Sequence, residues 1–324
     1  MDLLSLVVPV YKNEENLDRL LSEIERLDEK LGRRLEVVFV VDGSPDRSLE
    51  ILSARLPHFP VLTQLVSLTR NFGAFPAIAA GLARGTGDFF AVLAADLQEP
   101  PELIVEFWET LRSGEADVVF GCRAGRDDPP VSRFLSWIFW SFYRGFVLKD
   151  LPAGGVDIFG CNKAVRDQVL LLKEADSNLI ALFLWVGFRR KFVPYYRRAR
   201  QEGVSAWTIR KKVKYALDSI FNFTDLPLRV LLTSGVVGTL LSIAASVIVV
   251  IGRFTGLILV SGYTPIVLIV SFFGGLTTLG LGLIGQYLWL SLQNARGRPS
   301  YIVHSSRSFD AAGTGEDRLG PDRS

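Results

Sequence analysis

The chain of 324 residues is poor in the side chains that most often build metal centres and nucleophilic triads. It has two cysteines, Cys122 and Cys161, and two histidines, His58 and His304. No CxxC pair occurs, which argues against a zinc ribbon and a disulfide framework. The cysteines read as buried, reduced thiols. Two histidines so far apart argue against a Ser-His-Asp triad or a His-rich metal site. No GxGxxG follows the first apolar run, so the usual dinucleotide fingerprint is missing. A net charge of +2 lacks the basic excess of a nucleic-acid binder, and no nucleic-acid partner is expected. The opening MDLLSLVVPVYKNEE has no basic n-region and reads as a first strand rather than a signal peptide. Charge itself is missing from residues 230–252 and 254–295.

What is present in the first half is an alternation of strand and helix signals. Apolar, β-rich runs occur at 4–10, 35–41, 61–68, 88–94 and 116–123. Helical signals occur between them at 15–31, 47–56, 76–85 and 100–114. The first helix places Leu17, Leu20, Leu21, Ile24 and Leu27 on one face, and Pro100 opens the last. Strands apolar on both faces imply a mostly parallel, Rossmann-like α/β sheet covered by helices. Ligands of such sheets bind at the carboxyl ends of the strands. Those ends carry Tyr11 to Glu15, Asp42 to Asp46, Arg70 to Gly73 and Asp96 to Glu99, so polar residues gather along one edge.

The second half reads as a membrane attachment. Residues 124–180 are less regular, and the aromatic helix 134–148 suits either a core or a membrane surface. Residues 187–214 hold ten Lys/Arg and one acid, Glu202. The helix signal at 207–223 is basic and amphipathic, the pattern of a helix lying among headgroups. The uncharged runs 230–252 and 266–290 each reach the roughly 20 residues that a bilayer crossing needs. Basic residues on both outer sides place the flanking segments in the cytoplasm by the positive-inside rule. The expected organisation is a cytoplasmic domain (1–205), an interfacial helix region (206–228), a two-helix transmembrane hairpin (229–292) and a tail (293–324). Residues 305–324 are polar and Gly/Asp/Arg-rich, and are expected to be disordered.

Five segments occur in order: VVPVYKNEENL, VVDGSPD, RNFGAFPAIAAGL, DLQEPP and GCR. Together they resemble glycosyltransferase family 2, the inverting A-type transferases. FYR, VGFRRKFVPYYRRARQEGVSAW, LPLR and GQYLWLSLQNARGRPSYIV narrow the resemblance to the polyprenyl-phosphate glycosyltransferases, over about residues 4–303. The resemblance implies an A-type glycosyltransferase domain, a nucleotide-sugar donor, a polyprenyl phosphate acceptor, and Mg²⁺ or Mn²⁺. It also implies an inner-membrane location among membrane lipids and a homo-oligomer formed through the membrane-proximal region.

By the same resemblance, Pro9, Tyr11, Glu14, Asp42 and Asn71 would bind the nucleotide, and Asp96 and Gln98 the metal. Arg123, Arg133, Ser136, Arg197 and Arg200 would contact phosphate or diphosphate. Asp157 would stand near the reacting centre, orienting the acceptor or acting as base. Glu99 suits an extra ligand or a helix cap.

Three positions depart from the family pattern. Ala94 stands where DADLQ has its first Asp, Val41 stands where DDGS has its first, and Lys12 enters the YNE stretch. Each acidic pair keeps its second member.

The chemistry is consistent with these residue types. A divalent cation held by carboxylates neutralises charge developing on a diphosphate leaving group. A lipid phosphate with a second pKa of about 6 is largely ionised already, so it needs cationic capture more than deprotonation. Arginine's planar fork suits that capture. A processive polysaccharide synthase would carry QxxRW and more spans, neither of which is here. The remaining alternative, prompted by Val41 and Ala94, is a catalytically silent relative that acts as a membrane scaffold or lipid-phosphate binder.

Overall fold

The structure is a computed structural model that describes residues 2–123, 156–172, 179–196, 263–310 and 315–319, with residues 231, 233, 234, 237, 240, 251 and 255 between them. The chain divides into two units, residues 1–208 with 299–324, and residues 209–298.

The first unit is built on a nine-stranded sheet whose strands lie in the order β7 (Arg190–Tyr195), β5 (Val118–Arg123), β6 (Val156–Asn162), β4 (Phe89–Val92), β1 (Leu4–Val10), β2 (Leu35–Val41), β3 (Leu62–Leu68), β8 (Val303–Phe309) and β9 (Gly315–Leu319). Its centre is β1 (Leu4–Val10), β2 (Leu35–Val41), β3 (Leu62–Leu68) and β4 (Phe89–Val92), paired in parallel in the order β4-β1-β2-β3. Parallel neighbours need crossovers. These are α1 (Leu17–Lys30), α2 (Ser48–Arg55) and α3 (Ala74–Arg84), with α4 (Glu102–Arg112) following β4. Helices on both faces explain why every residue of β2 is buried and why no alternation appears in its sequence. The leucines and isoleucine of α1 at 17, 20, 21, 24 and 27 are buried together, as their spacing predicts. Helix α3 lies close to β1. A Cβ on Gly81 would stand 2.3 Å from Val7 Cγ1, so the absent side chain sets that contact.

A polar network sits at the amino end of the central strands. Glu36 is 1% exposed. Its carboxylate accepts from the Ser5 hydroxyl, Gln64 Nε2 (2.7 Å), Thr86 N–H (2.7 Å) and the Thr86 hydroxyl (3.1 Å). A buried carboxylate is tolerated only with such partners. The network ties β1, β2, β3 and the turn before β4 at the end opposite the candidate site.

The flanks differ from a plain βα repeat. β5 (Val118–Arg123) runs parallel to β4 but does not touch it, because β6 (Val156–Asn162) lies antiparallel between them. Asn162 ends β6 and caps α5 (Lys163–Leu171), accepting the Val165 N–H at 3.0 Å. After α6 (Leu179–Trp185), β7 (Arg190–Tyr195) pairs in parallel with β5. The sheet therefore stays mostly parallel, with β6 and β8 reversed. Cys122 and Cys161 are both buried and in the thiol form, as expected. Burial pushes the Cys161 thiol far above the ordinary range.

The expected disorder of residues 305–324 is corrected for 305–309 and 315–319, while 311–314 and 320–324 lie outside the described residues. β8 (Val303–Phe309) pairs antiparallel with β3, and β9 (Gly315–Leu319) pairs with β8. Phe309 joins the core cluster, and Ser306 is buried. Backbone pairing along an open edge, with burial of Ser306 and Phe309, overrides the polar composition. Residues 299–324 accordingly group with the first unit rather than forming a separate tail.

In the second unit, α7 (Tyr263–Arg296) is a 34-residue helix, about 51 Å long at 1.5 Å per residue. Its segment Phe273–Gln293 is, among the described residues, the one helix long and apolar enough to cross a membrane. Ile266, Val270, Leu281, Ile284, Leu288 and Leu292 are exposed along it. The other expected span, 230–252, lies largely outside the described residues. The interfacial region 206–228 and the aromatic segment 134–148 lie wholly outside them.

Candidate active site at the carboxyl edge of the sheet

Three loops at the carboxyl edge are stitched to one another by side chains. Asp42 follows β2, and its N–H donates to the Val10 carbonyl at 3.0 Å. Its carboxylate accepts the N–H groups of Phe72 (2.7 Å) and Gly73 (2.8 Å), just before α3. Asp42 is 3% exposed. Burial raises its pKa above the usual carboxylate value, against the opposing pull of these two amides and Arg70. The next residue must be glycine. Gly43 has φ +55°, and a Cβ there would meet the Arg70 carbonyl carbon at 2.3 Å.

The loop after β1 is clamped to the loop after β2. Lys12 N–H donates to the Ser44 hydroxyl at 2.8 Å, and Glu14 N–H to Asp46 Oδ2 at 3.1 Å. Arg47 N–H returns a bond to Glu14 Oε2 at 2.9 Å. Asp46 also accepts from the Ser44 hydroxyl and from the hydroxyl and N–H of Ser48. Partial burial would raise its pKa, but the Ser44 and Ser48 hydroxyls and the amides of Glu14 and Ser48 outweigh it and hold the pKa below the usual value. Lys12 has φ +56°, rare for a residue with a Cβ. Its ammonium lies 5.6 Å from the centre of the Tyr11 ring.

The acidic turn after β4 is compact. Leu93 N–H donates to the Val7 carbonyl, and Leu97 N–H closes a turn on the Ala94 carbonyl at 3.1 Å. Leu97 adopts φ +51°, a strained value that keeps Asp96 and Gln98 on one short bend. Asp96 Oδ1 accepts the Gln98 N–H at 3.3 Å. Asp96 and Gln98 are half-buried, and Glu99 is 1% exposed.

The expected site residues divide into three groups. Pro9, Tyr11, Glu14, Asp42, Asn71, Asp96 and Gln98 all lie at or next to the carboxyl ends of β1 to β4. Asn71 is exposed, Tyr11 and Pro9 are half-buried, and Glu14 is engaged with Arg47. Arg123 ends β5 on the same edge, paired in register with Tyr195. Asp157 belongs to β6, at the register shift opposite Gly121 and Cys122, which also puts its backbone near the end of β5. Arg133, Ser136, Arg197 and Arg200 lie outside the described residues.

Asp46 is the loop-bracing acid of this edge to which the sequence assigned no role. Its signal was present in DGSPDRS, where a serine two residues on favours an Asx turn.

A sheet of this topology, with acids and a strained turn at its carboxyl edge, has the architecture of an A-type glycosyltransferase. Residues 5–171 match the family model for glycosyl transferase family 2, and the chain belongs to that family and is a glycosyltransferase. It is 32% identical to an uncharacterized glycosyltransferase of Synechocystis sp., over 93% of this chain and 94% of the relative. It is 30% identical to the bactoprenol glucosyl transferase of Shigella phage SfX, over 94% of this chain and 99% of that protein. One similar solved structure is glucosyl-3-phosphoglycerate synthase from Mycobacterium tuberculosis with Mn²⁺, UDP and glucosyl-3-phosphoglycerate. It has 19% identity and a TM-score of 0.44, over 68% of this chain and 77% of that one.

Proposed function

We propose that this glycosyltransferase moves a sugar from a UDP-sugar to undecaprenyl phosphate at the cytoplasmic face of the bacterial inner membrane. The product is a lipid-monophosphate-linked sugar for cell-envelope glycan or lipid A modification. The observation that carries the reading is the similarity to a bactoprenol glucosyl transferase over 94% of this chain, a span long enough to take in α7 as well as most of the sheet. The long, apolar, exposed helix α7 suits a lipid acceptor.

The donor's nucleoside would lie over Pro9 and Tyr11, beside the Asp42-braced loop that carries Asn71. Among the described residues no group of three or more His, Cys, Asp or Glu converges. Asp96 with Gln98 still fits Mg²⁺ or Mn²⁺, because such ions commonly take one or two carboxylates and draw further ligands from substrate phosphates. A bound cation would supply charge neutralisation to the departing diphosphate. The rest of the work falls to the protein. Arg123, with Arg133, Ser136, Arg197 and Arg200, would hold the acceptor phosphate by charge-assisted bonds. Asp157 would orient that phosphate for in-line attack on the anomeric carbon, with inversion and without a covalent enzyme intermediate.

The test is the purified full chain in detergent with Mg²⁺ or Mn²⁺, undecaprenyl phosphate and a panel of sugar nucleotides. Nucleotide release and the mass of the lipid product are the readouts. A lipid-phosphate hexose dependent on both substrates is expected. Absence of nucleotide release from every donor would overturn the reading.

A further inference from the structure

The loop Thr69–Gly73 is pinned at both ends, and one pin comes from the far end of the chain. Pairing of β3 with β2 stops at Val41–Ser67. β8 carries the support further. It pairs with Ser67 through Ser305 and with Leu68 through Val303, leaving His304 as the extra residue of a bulge. The Thr69 N–H then donates to the Ile302 carbonyl at 3.0 Å. At the other end, the Phe72 and Gly73 amides are held by Asp42. Between the pins, Arg70 and Asn71 are exposed, with the Arg70 guanidinium 4.4 Å from the centre of the Phe72 ring. β8 is itself fixed by burial of Phe309 and Ser306.

We propose that β8 is a positioning element for the donor site: through the Ile302 carbonyl it holds the loop that presents Asn71, and so it sets donor affinity. This rests on the reading of the carboxyl edge as the donor site. A loop ordered before binding does not have to be ordered by the ligand, so losing a pin weakens binding more than it slows chemistry. Among the described strands β9 pairs with β8 alone and not with β3, so it is dispensable for this role.

The experiment compares the full chain, a truncation after Asp310 that keeps β8, a truncation after Arg298 that removes it, and Thr69→Pro, which deletes the donating N–H while fixing φ at 69. UDP binding is measured by calorimetry, donor KM and kcat by turnover, and loop order by hydrogen exchange of residues 69–73 without ligand. The truncation after Asp310 is expected to match the full chain. The truncation after Arg298 and Thr69→Pro are expected to raise the UDP Kd and donor KM about tenfold, the scale of one lost ordering bond, with kcat changed little. Amide exchange at 70–73 should quicken by a similar factor. If the truncation after Arg298 does not fold, Thr69→Pro decides the matter. Unchanged exchange and unchanged UDP affinity in Thr69→Pro would overturn the proposal. A full chain that binds no UDP would instead sink the functional reading, while the exchange data would still report on the pin.

Discussion

The carboxylate of Asp42 grips the backbone of Phe72 and Gly73 at 2.7 and 2.8 Å, which couples the end of β2 to the start of α3. Asp42→Asn keeps the shape but offers one acceptor oxygen where two amides need one each. A loss of about 1–3 kcal/mol is expected in urea melts at pH 7, the cost of leaving a buried donor unpaired. Weaker UDP binding should accompany it. Asp42→Ala should behave similarly in binding, because both variants release the same loop.

Asp42 and Asp46 stand on the same edge yet predict opposite pH behaviour. The folded pKa of Asp42 is raised, so its favourable contribution is present below the unfolded value near 3.8 and fades as pH climbs through the folded value. The folded pKa of Asp46 is lowered, so its contribution is present above 3.8 and disappears as pH falls through the folded value. The stability gap between wild type and Asp46→Asn should therefore shrink on acidification below pH 4. The corresponding gap for Asp42→Asn should shift the other way as pH rises above 4. Denaturant melts of the three proteins from pH 3 to pH 7 test both signs.

Asp96 is expected to carry the metal-dependent part of catalysis. Asp96→Asn should lower kcat by about a hundredfold or more, in line with loss of a principal electrostatic contributor. Gln98→Ala should do less. Ala94→Asp would return the missing acid to the corner and is expected to tighten Mn²⁺ binding by about tenfold, roughly 1.4 kcal/mol. Metal titrations followed by donor turnover would check all three. Unchanged turnover in Asp96→Asn would reject the metal assignment.

Glu36 should matter for stability and not for chemistry. Glu36→Ala removes the common acceptor of Ser5, Gln64 and Thr86, and a loss of about 3 kcal/mol or more is expected. Donor KM of the protein that remains folded should match wild type, because the network lies at the other end of the sheet. Thermal melts together with KM separate the two effects.

Much of this was legible in the residues because burial and period agree locally. The first two strands fall at 4–10 and 35–41 in both sequence and structure, and α1 to α4 fall within a few residues of their signals. Ala94-Ala95-Asp96-Leu97-Gln98 declared the acidic corner, although nothing in the string announced that Leu97 would take a positive φ. The misses share one cause, which is pairing decided at long range. β6, VDIFGCN, mixes polar and apolar residues without alternation, and its insertion between β4 and β5 makes it a strand. VHSSRSF is polar enough to pass for a loose tail until the bare edge of β3 is there to receive it. Asp46 was visible as a turn residue, but its bond to the Glu14 amide depends on two loops meeting in space.

The β3–β8 pairing also bears on the order in which the protein is made. Leu68, the last residue of β3, precedes its partner Val303 by 235 positions (303 − 68). At about 5–20 residues per second, a ribosome takes on the order of ten seconds or more to cover that distance. Helix α7 is synthesised within that interval. During synthesis the outer edge of β3 therefore presents unpaired amides to its surroundings, a state that invites mispairing with other chains. Closure of that edge therefore comes late, after α7 has been made.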